Sequence, residues 1–417
     1  MLYEDLIYLW LGFLLFEFFP ETTVLTGIFC VFFLVLKELF FLVALVWFKK
    51  KKILPIFFNP FLFLNYTLDL WLLSLKHYFL MLPFSSLIGF LWFFHYYLIL
   101  RLVIFRLSKN YIKLLFGLIL PIFLIIIAEG IFEILKIDIA PLEWGIFLVI
   151  LFFSPIFMVK FFPFSPLKDP YWREFILSFL KNNKVNIKEI YILKDIGRKI
   201  YTAGILGFLP GVRYLFFSAP LLEVLTPEEV LGVLGHEIGH IKRKHSFWLL
   251  LLLINLPFFL LACLFVLMYI FYLLFPSEFN KTVNQDTLLQ VILAVYFMTA
   301  SFVYIRYAFA FFLRQFEREA DVFSTLILGS VQPLITALYK IGQLSGEIYK
   351  KSWHHYGIFE RIEFLQSLAS PQEYLFKKGK KLRLGILLWI SINLFVVGLF
   401  SSQSLFEKLY KIISYVM

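Results

Sequence analysis

Thr226–Phe275 reads TPEEVLGVLGHEIGHIKRKHSFWLLLLLINLPFFLLACLFVLMYIFYLLF. Thr226 suits an N-cap, Pro227 the first helical position, and Glu229 completes a capping box. A helix is therefore expected to run through Val230, Leu231 and Val233 into His236-Glu237-Ile238-Gly239-His240. After Lys242, Arg243 and Lys244 the chain enters an apolar run, about 247–275, long enough to cross a bilayer. A polar helix carrying two histidines thus abuts a membrane segment, and the fold has to accommodate both.

The rest of the chain favours the membrane. Of its 417 residues 61% are hydrophobic and only 16% are charged, against about a quarter in a soluble domain. Mean hydropathy is +0.86. Candidate spans fall at about 5–19, 23–48, 54–75, 79–105, 114–135, 144–162, 247–275, 288–312 and 384–400. The run at 54–75 contains Pro55, Asn59, Pro60, Asn65 and Asp69, so it is expected to be kinked or re-entrant. Two polar blocks interrupt the spans, at about 163–245, which holds the histidine helix, and at about 313–383. The first reads as mixed α and β, with strands expected at Ile187–Leu193 and Val212–Ser218.

Net charge is +11, but the basic residues collect beside spans, which points to topology and anionic lipid rather than nucleic acid. Lys49–Lys52, Lys242–Lys244, Arg314 with Arg318, and Lys377–Arg383 are the clusters. Loop 276–287 has one basic residue, Lys281. By the positive-inside rule both polar blocks face the cytoplasm and that loop faces outward. Cys30 and Cys263 sit in apolar runs and form no disulfide framework. Met1–Asp5 lacks the basic start of a cleavable signal, so the first apolar run is expected to remain as a membrane segment.

His236 and His240 are four apart and share one helix face, where two imidazoles can bind one zinc ion. Glu237 lies about 100° round the helix, placed to take a proton from an attacking water. Catalytic zinc usually takes three protein ligands, so one is missing. His245 does not fit the longer metzincin spacing, since residue 243 is Arg and the interval is one short; it reads as a boundary residue near lipid headgroups. His77 and His95 fall in membrane segments. The better candidate is in Glu317-Arg318-Glu319-Ala320-Asp321: Glu317 as ligand, with Asp321 on the same face accepting a hydrogen bond from a ligand imidazole, and Glu319 as the competing ligand.

These motifs resemble the membrane-embedded gluzincin metalloproteases that include the CAAX prenyl proteases and the HtpX-type heat-shock proteases. The resemblance covers about residues 163–368, with spans arranged similarly. Gly235–His240 stands for the family's zinc motif, and Glu317–Asp321, preceded by Arg314, for its E-x-x-A-D motif. The family's late H-x-x-x-x-x-R element reads His355-Tyr356-Gly357-Ile358-Phe359-Glu360-Arg361. The resemblance implies that Glu317 is the third ligand, that His355 helps stabilise the oxyanion, and that Arg361 supports His355. Where the family has N-A-x-x-x-G, this chain has Thr202-Ala203-Gly204-Ile205-Leu206-Gly207. Thr in place of Asn alters a side-chain contact to substrate and counts against a standard prenyl protease. Val212-Arg213-Tyr214-Leu215-Phe216-Phe217 suits either an edge strand accepting an extended peptide or an ordinary core strand; on the first reading Thr202, Ala203, Arg213, Tyr214 and Phe216 are candidate substrate-binding residues.

The expected fold is a mainly α-helical polytopic membrane protein of seven to nine spans, with a small α/β zincin-like protease portion split by a transmembrane hairpin. Its divisions are 1–162 (N-terminal membrane region), 163–245 (protease segment with the histidine helix), 246–312 (hairpin), 313–383 (protease segment with the third ligand) and 384–417 (last helix and tail). The expected function is a zinc-dependent endopeptidase binding one Zn2+, with peptide or membrane-protein substrates and no nucleic acid. Two other classes compete. One is an inactive membrane scaffold or receptor with a structural zinc site. The other is a transporter, supported only by Lys37, Glu38, Asp69 and Arg306.

Overall fold

A computed structural model of the chain describes residues 2–401, apart from 26, 52, 54–56, 106–107, 137–142, 198, 276–285, 351–352 and 354. Residues 276–285 of the loop expected to face outward, and His354, lie outside the described residues. In chain order the elements are α1 Leu2–Phe18, α2 Gly27–Lys51, α3 Phe58–Trp71, α4 Leu75–Leu80, α5 Ser85–Phe105, α6 Lys109–Leu135, α7 Glu143–Phe161, β1 Phe164–Pro166, α8 Pro170–Asn182, β2 Glu189–Leu193, β3 Ala203–Leu206, β4 Tyr214–Ser218, α9 Ala219–Val224, α10 Pro227–Lys242 and α11 His245–Leu274. They continue with α12 Asp286–Val303, a π-helical turn Tyr304–Phe309, α13 Ala310–Leu328, α14 Gln332–Ser345, α15 Ile358–Gln366 and α16 Pro371–Ser401.

Among the described residues six helices are long and apolar enough to cross a membrane: Gly27–Lys51, Ser85–Ile104, Lys109–Leu135, His245–Leu274, Leu289–Leu328 and Pro371–Phe400. Gly145–Phe161 is a shorter apolar helix, so the count is roughly consistent with the expected seven to nine spans. The segment with Pro60, Asn65 and Asp69 is broken: α3 ends at Trp71, Ser74 takes a left-handed φ of 54°, and α4 starts beyond it. Asp69 bonds Lys37, Tyr96 and Trp92, and Tyr96 bonds Glu38, so these polar groups clamp α2, α3 and α5 together.

The sheet has the order β1-β2-β4-β3, antiparallel at β1/β2 and β3/β4 and parallel at β2/β4. This corrects one expectation. The strand containing Tyr214 and Phe216 is interior, with β2 on one side and β3 on the other, and its backbone has no free edge. Arg213 caps the short 3-10 turn Pro210–Val212 and is not in the strand. The edge strands are β1 and, beside β4, β3, a segment too short and glycine-interrupted to stand out in the sequence. Ile190, Leu215 and Phe217 from the sheet, Ile176 and Leu180 from α8, and Val230, Leu234 and Ile238 from α10 form one buried core. The sheet is thereby fixed against the helix that carries the two histidines.

Two features bring the polar blocks together. The chain breaks between α10 and α11 at Lys244, whose φ is 57°, so α10 folds back instead of running on into the span. The helix Leu289–Leu328 is 40 residues long, about 60 Å at 1.5 Å per residue, against a hydrocarbon core of about 30 Å. Its C-terminal half therefore projects beyond the bilayer alongside α10.

Candidate metal centre

The capping box anticipated for α10 is present. The Thr226 backbone N–H donates to Glu229 Oε2 at 2.8 Å, and the Glu229 N–H donates to Thr226 Oγ1 at 3.4 Å. Lys340 of α14 pairs with the same Glu229 at 2.7 Å, which ties the helix start to its neighbour.

Glycine decides how near α13 comes. A Cβ on Gly239 would meet Ala320 Cα at 2.9 Å, and one on Gly235 would meet Ser324 Oγ at 2.6 Å and its Cα at 3.1 Å. Backbones can approach this closely only without those side chains. Ser324 Oγ donates to the Gly232 carbonyl at 2.7 Å and pins the contact.

That contact sets three donor atoms facing one point. His236 Nε2 and His240 Nε2 are 3.1 Å apart. Glu317 Oε2 is 3.6 Å from His236 Nε2, and its Oε1 is 3.5 Å from His240 Nε2. Tetrahedral ligands at 2.0–2.1 Å from a zinc ion lie about 3.4 Å from one another, so the donor set and its spacing fit the metal. Among the described residues this is the one group of His, Cys, Asp and Glu whose donors converge so, within 4.8 Å of one another.

The surrounding bonds orient the candidate ligands. His236 Nδ1–H donates to Asp321 Oδ1 at 2.8 Å, which turns its Nε2 lone pair inward. Arg361 grips Asp321 with two hydrogen bonds, Nη2 to Oδ1 at 2.6 Å and Nε to Oδ2 at 2.9 Å. Arg361 is thereby tied to Asp321 and through it to His236, a partner that the sequence reading did not assign to it. His355 Nδ1 is 3.2 Å from Glu317 Oε2, beside the donor cluster. The segment carrying it is tethered by α13, where Arg314 donates to the Trp353 carbonyl, Gln315 to the Tyr356 hydroxyl at 2.8 Å, and Arg318 lies 3.7 Å over the Tyr356 ring.

Glu237 is half-buried on the same helix, and burial pushes its carboxyl up to about 7. Burial holds the His240 imidazole well below the usual histidine range, as suits a neutral ligand. For His236 burial acts the same way, but the Asp321 carboxylate outweighs it and the net shift is upward. Arg361 is raised, because the neighbouring Asp321 carboxylate outweighs its burial.

Thr202 and Ala203 lie at the start of β3, where the Ser218 N–H donates to the Thr202 carbonyl at 2.8 Å. Antiparallel alternation then turns the N–H and C=O of Ala203 and Ile205 away from β4, toward the open edge. The Thr202 hydroxyl donates to the Ala203 carbonyl at 3.2 Å. Sequence reasoning missed His245: it is buried, not at a lipid boundary, and lies between His240 and Glu319. Glu319 turns away from the donor cluster toward Arg243 and Arg383, so it does not compete with Glu317.

Residues 166–374, half of the chain, match Peptidase family M48. The chain is 31% identical over 169 residues to a protease HtpX homolog of Thermoplasma acidophilum, covering 40% of this chain and 48% of that one. It is 23% identical over 250 residues to a CAAX prenyl protease 1 homolog of Oryza sativa subsp. japonica, covering 55% and 56%. The chain spans about half the length of the curated relatives it matches. The crystal structure of S. mikatae Ste24p aligns over 70% of this chain and 74% of its own, at 18% identity and a TM-score of 0.42.

Proposed function

This chain belongs to peptidase family M48, and from that premise we propose that it is a zinc-dependent endopeptidase of the membrane. The observation that carries the reading is the convergence of His236 Nε2, His240 Nε2 and Glu317 on one point, with Glu237 on the adjoining helix face. Three protein donors among the described residues suit a catalytic zinc, whereas a structural site would be closed by four, which favours the protease over the scaffold reading.

His236, His240 and Glu317 would hold the ion. A bound zinc ion supplies Lewis acidity, polarising a peptide carbonyl and making water easier to deprotonate. Glu237, with its carboxyl raised to about 7, is suited to take a proton from the attacking water and hand it to the departing amine. His355, 3.2 Å from Glu317, donates a hydrogen bond to the negative oxygen that develops on the scissile carbonyl. Asp321 and Arg361 hold His236 in its ligand tautomer. An extended substrate backbone pairs with the outward N–H and C=O groups of Ala203 and Ile205 on β3.

The substrate is either a misfolded or membrane protein or a C-terminal peptide of the CAAX type. Relatives named as HtpX homologs and as CAAX prenyl protease homologs support the two classes. The site faces the cytoplasm, as the basic clusters at Lys242–Lys244 and Lys377–Arg383 favour.

The test is Glu237→Gln in detergent-purified protein. We expect zinc to be retained at one equivalent while cleavage of a membrane-protein substrate falls at least about 100-fold, the scale of lost general-base catalysis. Cleavage at the wild-type rate by this variant removes Glu237 from the mechanism.

A further inference from the structure

We propose that His245 is a positioning residue for the metal ligand His240, backed by Glu319 and by Arg383 of the last membrane helix. This rests on the zinc reading above. The observation is a run of hydrogen bonds, buried at its middle and part-buried at its ends, leading away from the metal centre. His240 Nδ1 is 3.0 Å from His245 Nδ1, and His245 Nε2 is 3.1 Å from Glu319 Oε2. Arg383 donates from Nη1 to Glu319 Oε1 at 2.9 Å and from Nη2 to Oε2 at 2.8 Å. Arg243 Nε adds a third bond at 3.3 Å. His245 is 1% exposed and Glu319 2%, so water does not compete for these bonds.

The direction of each proton follows from the far end. A guanidinium only donates, so Glu319 is an accepting carboxylate. His245 Nε2 therefore carries a hydrogen and donates to it. In a neutral imidazole the other nitrogen then accepts, so His245 Nδ1 receives a hydrogen bond from His240 Nδ1–H. This leaves the His240 lone pair on Nε2, the atom that faces His236 Nε2 and Glu317. The relay thus selects the tautomer in which His240 can ligate.

The two ligand histidines have parallel supports. His236 is held by Asp321 and Arg361, and His240 by Glu319 and Arg383 through an intervening imidazole. The imidazole is needed because of helix geometry. Glu317 and Asp321 share a face of α13, whereas Glu319 is about 200° round from Glu317 and cannot reach the ligand itself. His245 closes that gap at the first turn of α11, where it also stacks on Phe316 with ring centroids 4.7 Å apart.

The test compares zinc affinity, by chelator competition, in detergent-purified full-length wild type, His245→Phe, His245→Gln and Arg383→Gln. Phe preserves the stack on Phe316 but breaks the relay. Gln at 245 can accept from His240 and donate to Glu319. We expect His245→Phe to lose about 10- to 100-fold in zinc affinity, His245→Gln to recover most of it, and Arg383→Gln to shift it in the same direction as Phe. A Gln variant at 245 no better than Phe overturns the proposal, as does wild-type affinity in either His245→Phe or Arg383→Gln. If His236→Ala loses zinc while His245→Phe keeps it, the relay alone fails. If the wild-type protein binds no zinc, the metal reading fails and the relay with it.

Discussion

At the scale of single residues, the centre depends on carboxylates that never face solvent. Asp321 is wholly buried and is held by two hydrogen bonds from Arg361 as well as by His236. Removing one partner of a buried pair leaves an uncompensated charge, at a cost of about 3–5 kcal/mol. Arg361→Met is therefore expected to lower the thermal midpoint of the purified protein and to weaken zinc binding together; an unchanged midpoint would show that the guanidinium is dispensable. The pairing of the two histidines was legible because four-residue spacing on a helix has chemical meaning; Glu317 was one of two candidate carboxylates until the family resemblance singled it out. His245 was not legible. Its partner Glu319 is 74 residues away and that residue's own partner Arg383 lies 138 residues from His245, while Arg243 and Arg383 read naturally as basic flanks of membrane spans. A basic residue beside a span and one buried against a carboxylate look alike until the fold is known.

At the scale of elements, the distance between α10 and α13 governs the site. Gly235 and Gly239 face Ser324 and Ala320 at distances no Cβ tolerates. Gly239→Ala is expected to destabilise by about 1–3 kcal/mol through overpacking and to reduce bound zinc, because Glu317 is carried away from the histidine pair. Gly211→Ala, where a Cβ meets nothing within 4 Å, is the control and should leave both unchanged. Equal zinc content in the two variants would dissociate helix packing from ligand geometry. The capping box and the strands β2 and β4 were legible from local chemistry. The edge position of β3 was not, since pairing order is set by tertiary contacts, and a four-residue strand carries little periodic signal. The π-helical turn Tyr304–Phe309 was equally hidden, although it offsets α13 from α12 and places Arg306 5.6 Å from the Trp353 ring.

At the scale of the whole molecule, an integral membrane scaffold brings together two polar blocks that the sequence separates by a pair of apolar runs. That arrangement was legible because hydropathy reports spans reliably, while the break at Lys244 that lets α10 fold back carries no glycine or proline to announce it. The intramembrane charges Lys37, Glu38 and Asp69 bond one another and Tyr96, which gives them a packing role and removes the support they lent to a transporter. Orientation can be read from outside. Lys168 is exposed near the start of the sheet, so Lys168→Cys is expected to react with a membrane-impermeant maleimide in inside-out vesicles and to be protected in right-side-out ones. The opposite pattern would place the site on the external face.

The zinc content of purified Glu317→Ala, measured beside the wild type, tests most directly whether one metal ion is gripped from both polar blocks. The wild type should hold one zinc per chain and the variant almost none, with its helices still folded. A folded Glu317→Ala protein that retains a full equivalent of zinc would contradict the account.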